Sequence, residues 1–234
     1  AGLVAVEKLR LSADAVDNAQ SVTLGAAAHS AGITTVDGTA AGADDALTID
    51  STAFSGALTV NTGAGNDIIN LGAGGSTVDS GDGDDFVKVG AANDGTVDDH
   101  IATGVGSDAI EVDNSLFTEH LVVDGGSGVD TLRVNGDVSV VDADFTQLSS
   151  VEALTLIADA AGNLNQLTLG SAAAASGLQS FDSSSSGNND VLQLDARNFA
   201  NALSITSGAA GDIIQLGSGG SVVDAGNGDN SVTV

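Results

Sequence analysis

Residues 63–89 read as three consecutive nine-residue words, GAGNDIINL (Gly63–Leu71), GAGGSTVDS (Gly72–Ser80) and GDGDDFVKV (Gly81–Val89). Each opens on Gly-x-Gly and closes on a short apolar run: Ile68-Ile69, Thr77-Val78 or Phe86-Val87. The first and third words place Asp67 and Asp85 immediately before that run. A nine-residue period with glycines at constant offsets predicts a repeat architecture in which every word makes one turn and one short strand. Glycine suits such turns because it takes up positive φ at no steric cost. Two words then close one coil. Asp67 and Asp85, two words apart, are therefore expected one above the other at the strand spacing of about 4.8 Å.

Two stacked carboxylates repel unless something lies between them. A cation does this, and calcium in particular takes six to eight oxygen ligands from carboxylates and backbone carbonyls. The same Asp side chains could instead cap turns by hydrogen bonds. The words have the form G-G-x-G-x-D-x-U-x, and on these glycines and aspartates the chain resembles the calcium-binding nonapeptides of RTX-type repeat proteins of bacteria. The long Ala/Thr/Val/Asp-rich context is most similar to surface-layer and giant adhesin chains of that family. The resemblance implies an all-β fold, a parallel β-solenoid of the β-roll or β-helix kind with Gly/Asp-rich turns, and Ca2+ as the bound ion. It carries the metal role to Asp67 and Asp85, with Asp84 beside the latter, and to the turn residues Gly63, Gly65, Gly81 and Gly83.

Further words extend the pattern. GVGSDAIEV supplies Asp108 with Gly104 and Gly106, and GGSGVDTLR supplies Asp130 with Gly126 and Gly128. Asp45, Asp67, Asp85, Asp108 and Asp130 follow one another at steps of two words or slightly more, which predicts a column of Asp along one side. Only the step from Asp67 to Asp85 equals two words; the longer ones imply looped-out residues. Departures from the family pattern are local. Ser76 stands in the middle word where the family has Asp, Ser221 repeats that change, and Asn230 takes the place of the Asp in the last word. Asp212 and Asp229 are the metal candidates that remain there.

A larger repeat surrounds these words. Residues 6–89 align without a gap with residues 151–234 at an offset of 145, and 39 of the 84 positions are identical. VEKLRLSADA matches VEALTLIADA, and IDSTAFSGALTV matches LDARNFANALSI. Residues 1–150 are read as the first unit, with a nonapeptide section over 63–94 and the consensus word at 125–133. Residues 151–234 are a truncated second copy. The expected form is a continuous solenoid rather than separate globular domains, belonging to a longer tandem array. Apolar runs of three or four residues separated by Gly, Asn, Asp and Ser predict strands, at Leu9–Leu11, Val22–Leu24, Ile33–Val36, Leu47–Ile49 and Leu58–Val60. Ala109–Val112, Leu121–Val123, Thr131–Val134, Val138–Val141 and Leu154–Leu156 continue the series. The expected coils hold 18 to about 24 residues. A second motif, Asp-x3-Phe-x3-Leu, recurs at Asp50-Phe54-Leu58, Asp113-Phe117-Leu121 and Asp195-Phe199-Leu203, with a shortened relative at Asp142–Phe145. It reads as an Asp N-cap opening one helical turn that tucks Phe over the core.

Composition agrees. Only six Phe represent the large side chains, with no Trp, Tyr, Met, Cys or Pro, so a thin aliphatic core is easier to fill than a spherical one. The net charge is −27, from 32 acidic residues against five basic ones. Of the acids 28 are Asp, the residue of tight turns and hard-ion ligation. This balance disfavours nucleic acid and anionic membranes as partners. No apolar run is long enough to span a membrane, and the first residues lack the pattern of a signal peptide. Catalysis finds no support: there is no Cys, no H-E-x-x-H, no G-x-S-x-G and no phosphate-loop Lys, and His29, His100 and His120 lack ligand spacing. The expectation is thus a non-catalytic, calcium-binding structural component of a secreted bacterial surface protein. It would assemble with copies of itself as a lattice or filament, with cell-surface polysaccharide as a further partner. The resemblance implies an extracellular location reached by the type I route. The alternatives are the stalk of an adhesin or biofilm-matrix protein and, after that, the accessory tail of a secreted hydrolase.

Overall fold

A computed structural model describes residues 5–12, 19–42, 45–90, 98–157, 164–185 and 190–234. Residues 91–94 of the nonapeptide section, and residues 13–15 and 158–160 of the matched segments, lie outside the described residues.

The chain is all-β, with parallel sheets built from strands of two to six residues, as a β-solenoid. It divides into two compact units, residues 1–111 with 120–130 and residues 112–119 with 131–234. In the first unit one sheet takes Lys8–Ser12, Thr35–Ala40, Thr59–Asn61, Thr77–Asp79, Asp99–Ala102 and Leu121–Asp124 in that order. The other takes Gln20–Thr23, Leu47–Asp50, Ile68–Asn70, Phe86–Lys88 and Ala109–Asp113. In the second unit Thr131–Asn135, Ala153–Ile157, Ser180–Asp182, Ser204–Thr206 and Val222–Asp224 form one sheet. Ser139–Val140, Leu164–Thr168, Val191–Ala196, Ile213–Leu216 and Ser231–Thr233 form the other.

Apart from Leu148–Ser149, consecutive strands alternate between the two sheets of a unit because each is too short to do more than cross one face of a coil before a turn redirects it. The side chains then alternate in and out with period two. Inward positions fall in register on their counterparts in the next coil. Val36, Val60, Val78, Ile101 and Val123 make one such file, and Ile49, Ile69, Val87 and Ile110 another. All nine side chains are buried, none more than 2% exposed.

The coil lengths vary more than the periodicity predicts. Thr59 pairs with Thr77, two words on as expected, whereas Lys8 pairs with Thr35 and Ala153 with Ser180, each the length of three words on. These longest coils each contain a short helix, Ala26–Ala31 or Ser171–Ala175, which leaves no 3.6-residue period in the sequence. Both helices are Ala-rich, both follow a glycine, and both run under two turns, too short to show an amphipathic stripe or to persist on propensity alone. The strand Asp99–Ala102 also escapes the apolar-run rule, because DHIA puts only Ile101 into the core file.

The Asp-x3-Phe motif behaves as expected at its Phe and differently at its Asp. Phe54, Phe117, Phe145 and Phe199 are buried, and Phe117 meets Phe145 edge-on at 5.2 Å. Asp50 and Asp195 do not cap a helix. Their carboxylates accept the N–H two residues on, from Thr52 and Arg197, which is an Asx turn. Asp113 precedes a 3-10 turn, Asn114–Leu116, without a side-chain capping bond.

Ile68 and Ile69 are adjacent, yet Ile68 is 44% exposed and Ile69 fully buried. Replacing Ile69 by Ala is expected to cost about 2–4 kcal/mol in denaturant unfolding. Replacing Ile68 by Ala is expected to cost about 0.5 kcal/mol or less. Equal costs at the two positions would contradict the register.

Candidate functional site

The site starts from the glycine turns. Gly63, Gly65, Gly81, Gly83, Gly104, Gly106, Gly126 and Gly128 all have positive φ. Their lack of a side chain matters as much as their backbone angles. A methyl group on Gly81 would stand 1.8 Å from the Gly63 carbonyl oxygen, and one on Gly104 2.0 Å from that of Gly81. Turns can therefore lie directly on turns. The first glycine carbonyl of each turn then accepts a main-chain bond from the next coil: Asp82 N–H to Gly63, Val105 N–H to Gly81 and Ser127 N–H to Gly104, each at 2.8 Å. A second lone pair remains on each of these oxygens.

The turns deliver four aspartates, one above another, to the start of a strand. Asp67 Oδ1 accepts Leu47 N–H at 2.7 Å, Asp85 Oδ1 accepts Asp67 N–H at 2.8 Å, Asp108 Oδ1 accepts Asp85 N–H at 2.7 Å and Asp130 Oδ1 accepts Asp108 N–H at 2.9 Å. None of the four is more than 3% exposed. The column read from the sequence is thus present, with one correction. Asp45 is not a member, because strand register puts Leu47 opposite Asp67, and the Asp45 carboxylate turns back to accept Gly42 N–H at 3.0 Å.

The second oxygens are the unusual part. Oδ2 of Asp67, Asp85 and Asp108 is buried without a hydrogen-bond donor. The hydroxyls of Thr62, Ser80 and Thr103 lie beside these carboxyls. Each hydroxyl, however, donates its one proton elsewhere, to the carbonyls of Ser80 (3.0 Å), Thr103 (3.1 Å) and Gly125 (2.9 Å). With that proton committed, each hydroxyl oxygen keeps lone pairs that a cation could use. Burial away from water is the main cause that raises all three Asp pKa values, Asp85 up to about 7, with the neighbouring Asp67 and Asp108 charges adding to it.

The second copy supplies an internal comparison. Asn230 occupies the place of Asp85, and its Oδ1 accepts Asp212 N–H at 2.8 Å just as Asp85 accepts Asp67 N–H. Its other atom is a donor, Nδ2–H to the Ala225 carbonyl at 2.8 Å. An amide completes both bonds, whereas a carboxylate in that setting presents an acceptor where a donor is wanted. Asp212 follows the column rule, with Oδ1 accepting Leu192 N–H at 2.9 Å, and its Oδ2 and the Ser207 hydroxyl are both buried without a partner.

Asp84 and Asp229 are exposed on the outside of their turns and do not join the columns. Asp84 belongs to a second, outer ladder, donating its N–H to Asn66 Oδ1 at 2.9 Å and accepting Ser107 N–H at 2.8 Å. Sequence reasoning misses Asp99 and Asn165, both 3% exposed, which make the same kind of bond in the other files, to Ser76 N–H at 2.8 Å and Val138 N–H at 3.0 Å. The signal that would find them is an Asp or Asn at the first inward position of a strand, whatever the word around it. Among the described residues no group of three or more His, Asp or Glu side chains converges on one point. A cation here would take two stacked carboxyls and complete its shell with hydroxyl and carbonyl oxygens. Of the histidines, His29 lies edge-on to Phe54 and His120 pairs with Asp98 at 2.8 Å.

No known protein family, curated protein or solved structure matches the chain.

The raised carboxyl pKa values fix a sign. A group whose folded pKa lies above its unfolded value stabilises the fold below the unfolded pKa and loses that contribution as pH rises through the folded one. Without metal, the melting temperature of the chain is expected to fall between about pH 5 and pH 8 as Asp85 and its neighbours ionise. Asp37, held far below the usual range mainly by Lys8, stays charged throughout and adds no slope. A flat or rising profile in the absence of metal would contradict the burial of these carboxyls.

Proposed function

We propose that this chain is a calcium-binding structural segment of a bacterial surface protein, in which the ion neutralises the Asp67–Asp85–Asp108–Asp130 column. The observation that carries the reading is the orphaned second oxygen of Asp67, Asp85 and Asp108, set against the satisfied amide of Asn230. A buried carboxylate without a donor is costly, and either a proton or a cation relieves it. At neutral pH and with millimolar calcium, the cation is the stronger competitor, because the facing hydroxyl and carbonyl oxygens are the hard ligands that calcium prefers.

The residues that would hold the ion are Asp67 and Asp85, then Asp108 and Asp130. Thr62, Ser80 and Thr103 supply hydroxyl oxygens, and the turn glycines supply the free lone pairs of their carbonyls. Asp212 with Ser207 would make a weaker site, since Asn230 has removed one of its two charges. The metal's role is structural: it converts a repulsive file into a clamp between consecutive coils. Secretion, an extracellular surface location and assembly with further copies into a lattice or filament belong to the same proposal. They follow from the resemblance to RTX-type surface-layer chains together with a net charge that suits a calcium-rich medium. With none of the catalytic motifs sought in the sequence, the chain is read as scaffold rather than enzyme.

Thermal unfolding with calcium and with chelator tests the reading. Calcium at a hundredfold excess over its dissociation constant should add about 2.7 kcal/mol of stability, and chelator should remove it, with magnesium at the same concentration giving less. In the variant Asp85→Asn the calcium increment should shrink by at least about half, while metal-free stability near pH 8 should equal or exceed that of the parent. An unshifted melting curve in calcium, or an increment that Asp85→Asn leaves intact, would overturn the assignment.

A further inference from the structure

The outer face of one sheet in the second unit holds a groove of about 400 Å³ that the aspartate column does not use. Its floor is two parallel files of polar side chains. Ser139, Gln166 and Gln193 stand in register in one, followed by Ile213. Thr168, Asp195 and Gln215 stand in register in the other. Gln166 Nε2 donates to Gln193 Oε1 at 3.3 Å, so the carboxamides are aligned along the file and leave a free donor and acceptor at its ends. Val141, 51% exposed, and Ile213, 43% exposed, supply apolar surface at the groove.

Three of the chain's six Gln line this groove. At the corresponding positions of the first copy stand Ser21, Thr48 and Asn70, all shorter. The long amides are therefore a feature of this face and not of the repeat in general. The chemistry is also unusual for so acidic a chain. The one charged residue in the groove, Asp195, is held by Arg197 through two side-chain bonds, Nε to Oδ1 at 2.9 Å and Nη2 to Oδ2 at 2.6 Å. The Arg197 guanidinium keeps the Asp195 carboxyl below its usual range.

We propose that this groove binds a neutral polysaccharide. Amides and hydroxyls in two files, spaced about 4.8 Å along the stack, offer paired donors and acceptors at nearly the length of one sugar ring. The exposed methyls of Val141 and Ile213 suit the apolar face of such a ring. The net charge of −27 disfavours an acidic glycan or a nucleic acid, and Arg197 offsets the one charge inside the groove, so its floor offers neutral amides and hydroxyls. The inference is independent of the calcium column, which belongs to other residues.

Titration of the whole 234-residue chain with cellohexaose, chitohexaose and maltohexaose, in calcium and again in chelator, tests it. At least one hexasaccharide should bind in calcium with sub-millimolar to millimolar affinity. Gln193→Ala and Gln215→Ala should each weaken that binding by about tenfold, while Thr48→Ala, on the corresponding face of the first copy, should leave it unchanged. Folding of the variants is checked by their circular dichroism and melting temperature. No binding of any of the three sugars would overturn the proposal, as would binding that the two Gln variants leave intact. A concentration-dependent dimer that Gln193→Ala abolishes would overturn it too, by giving the face to a second copy.

Discussion

In a parallel stack of coils each inward residue rests on its own counterpart one strand spacing away, and the whole structure depends on how well each residue type tolerates itself. Val on Val and Ile on Ile gain dispersion and lose water, so the files through Val60 and Ile69 are stable without further help. Gly on Gly lets turn lie on turn where any Cβ would collide. Thr and Ser hydroxyls donate to a main-chain carbonyl of the next coil, as those of Thr62, Ser80 and Thr103 do. Asn carries both a donor and an acceptor, and Asn230 uses both. Asp alone fails the test, since a carboxylate offers only acceptors.

That distinction explains what can be read in advance. Apolar files and glycine turns leave a period in the sequence, so the solenoid and the two-word step from Asp67 to Asp85 are legible from the words alone. Asp108 and Asp130 are legible from the same words at longer spacing. Asp45 is misassigned because a step count cannot see where a strand begins, and the residue facing Asp67 is two positions later, at Leu47. Asp99 is invisible because its strand carries one inward aliphatic residue, which leaves no apolar run. The Ala-rich helices are hidden for a related reason: too short to show a stripe, they are held by the coils on either side. The orphaned oxygens lie beyond any reading of the words, since which acceptor each hydroxyl serves is decided only by the stacked geometry.

The two copies show how a stack can change its outside without touching its inside. Phe54 and Phe199 are buried alike, and Ile69 has its buried counterpart in Ile214. Outward positions drift: Thr48 becomes Gln193 and Asn70 becomes Gln215, which turns a face of short polar groups into a lined groove. Period-two alternation makes this possible, because consecutive residues of one strand belong to opposite environments and change independently.

Asn230 also bears on why a carboxylate stands in the column at all. The Asn230 side chain accepts the same N–H bond that the Asp85 side chain accepts and adds a donated one, so that bond does not require Asp. What Asp adds is dependence on something outside the chain. A file of amides has a stability fixed by its own hydrogen bonds, whereas a file of buried carboxyls is stable only when protons or cations neutralise it. The strand spacing forces the charges together and burial keeps water from separating them, so under the proposed calcium role binding and folding would draw on the same free energy. Four such residues over four successive coils make that dependence cumulative, and the single Asp212–Asn230 step in the second copy makes it weak there. The first unit is in this sense the conditional part of the structure, and its condition is set at the second oxygens of Asp67, Asp85 and Asp108.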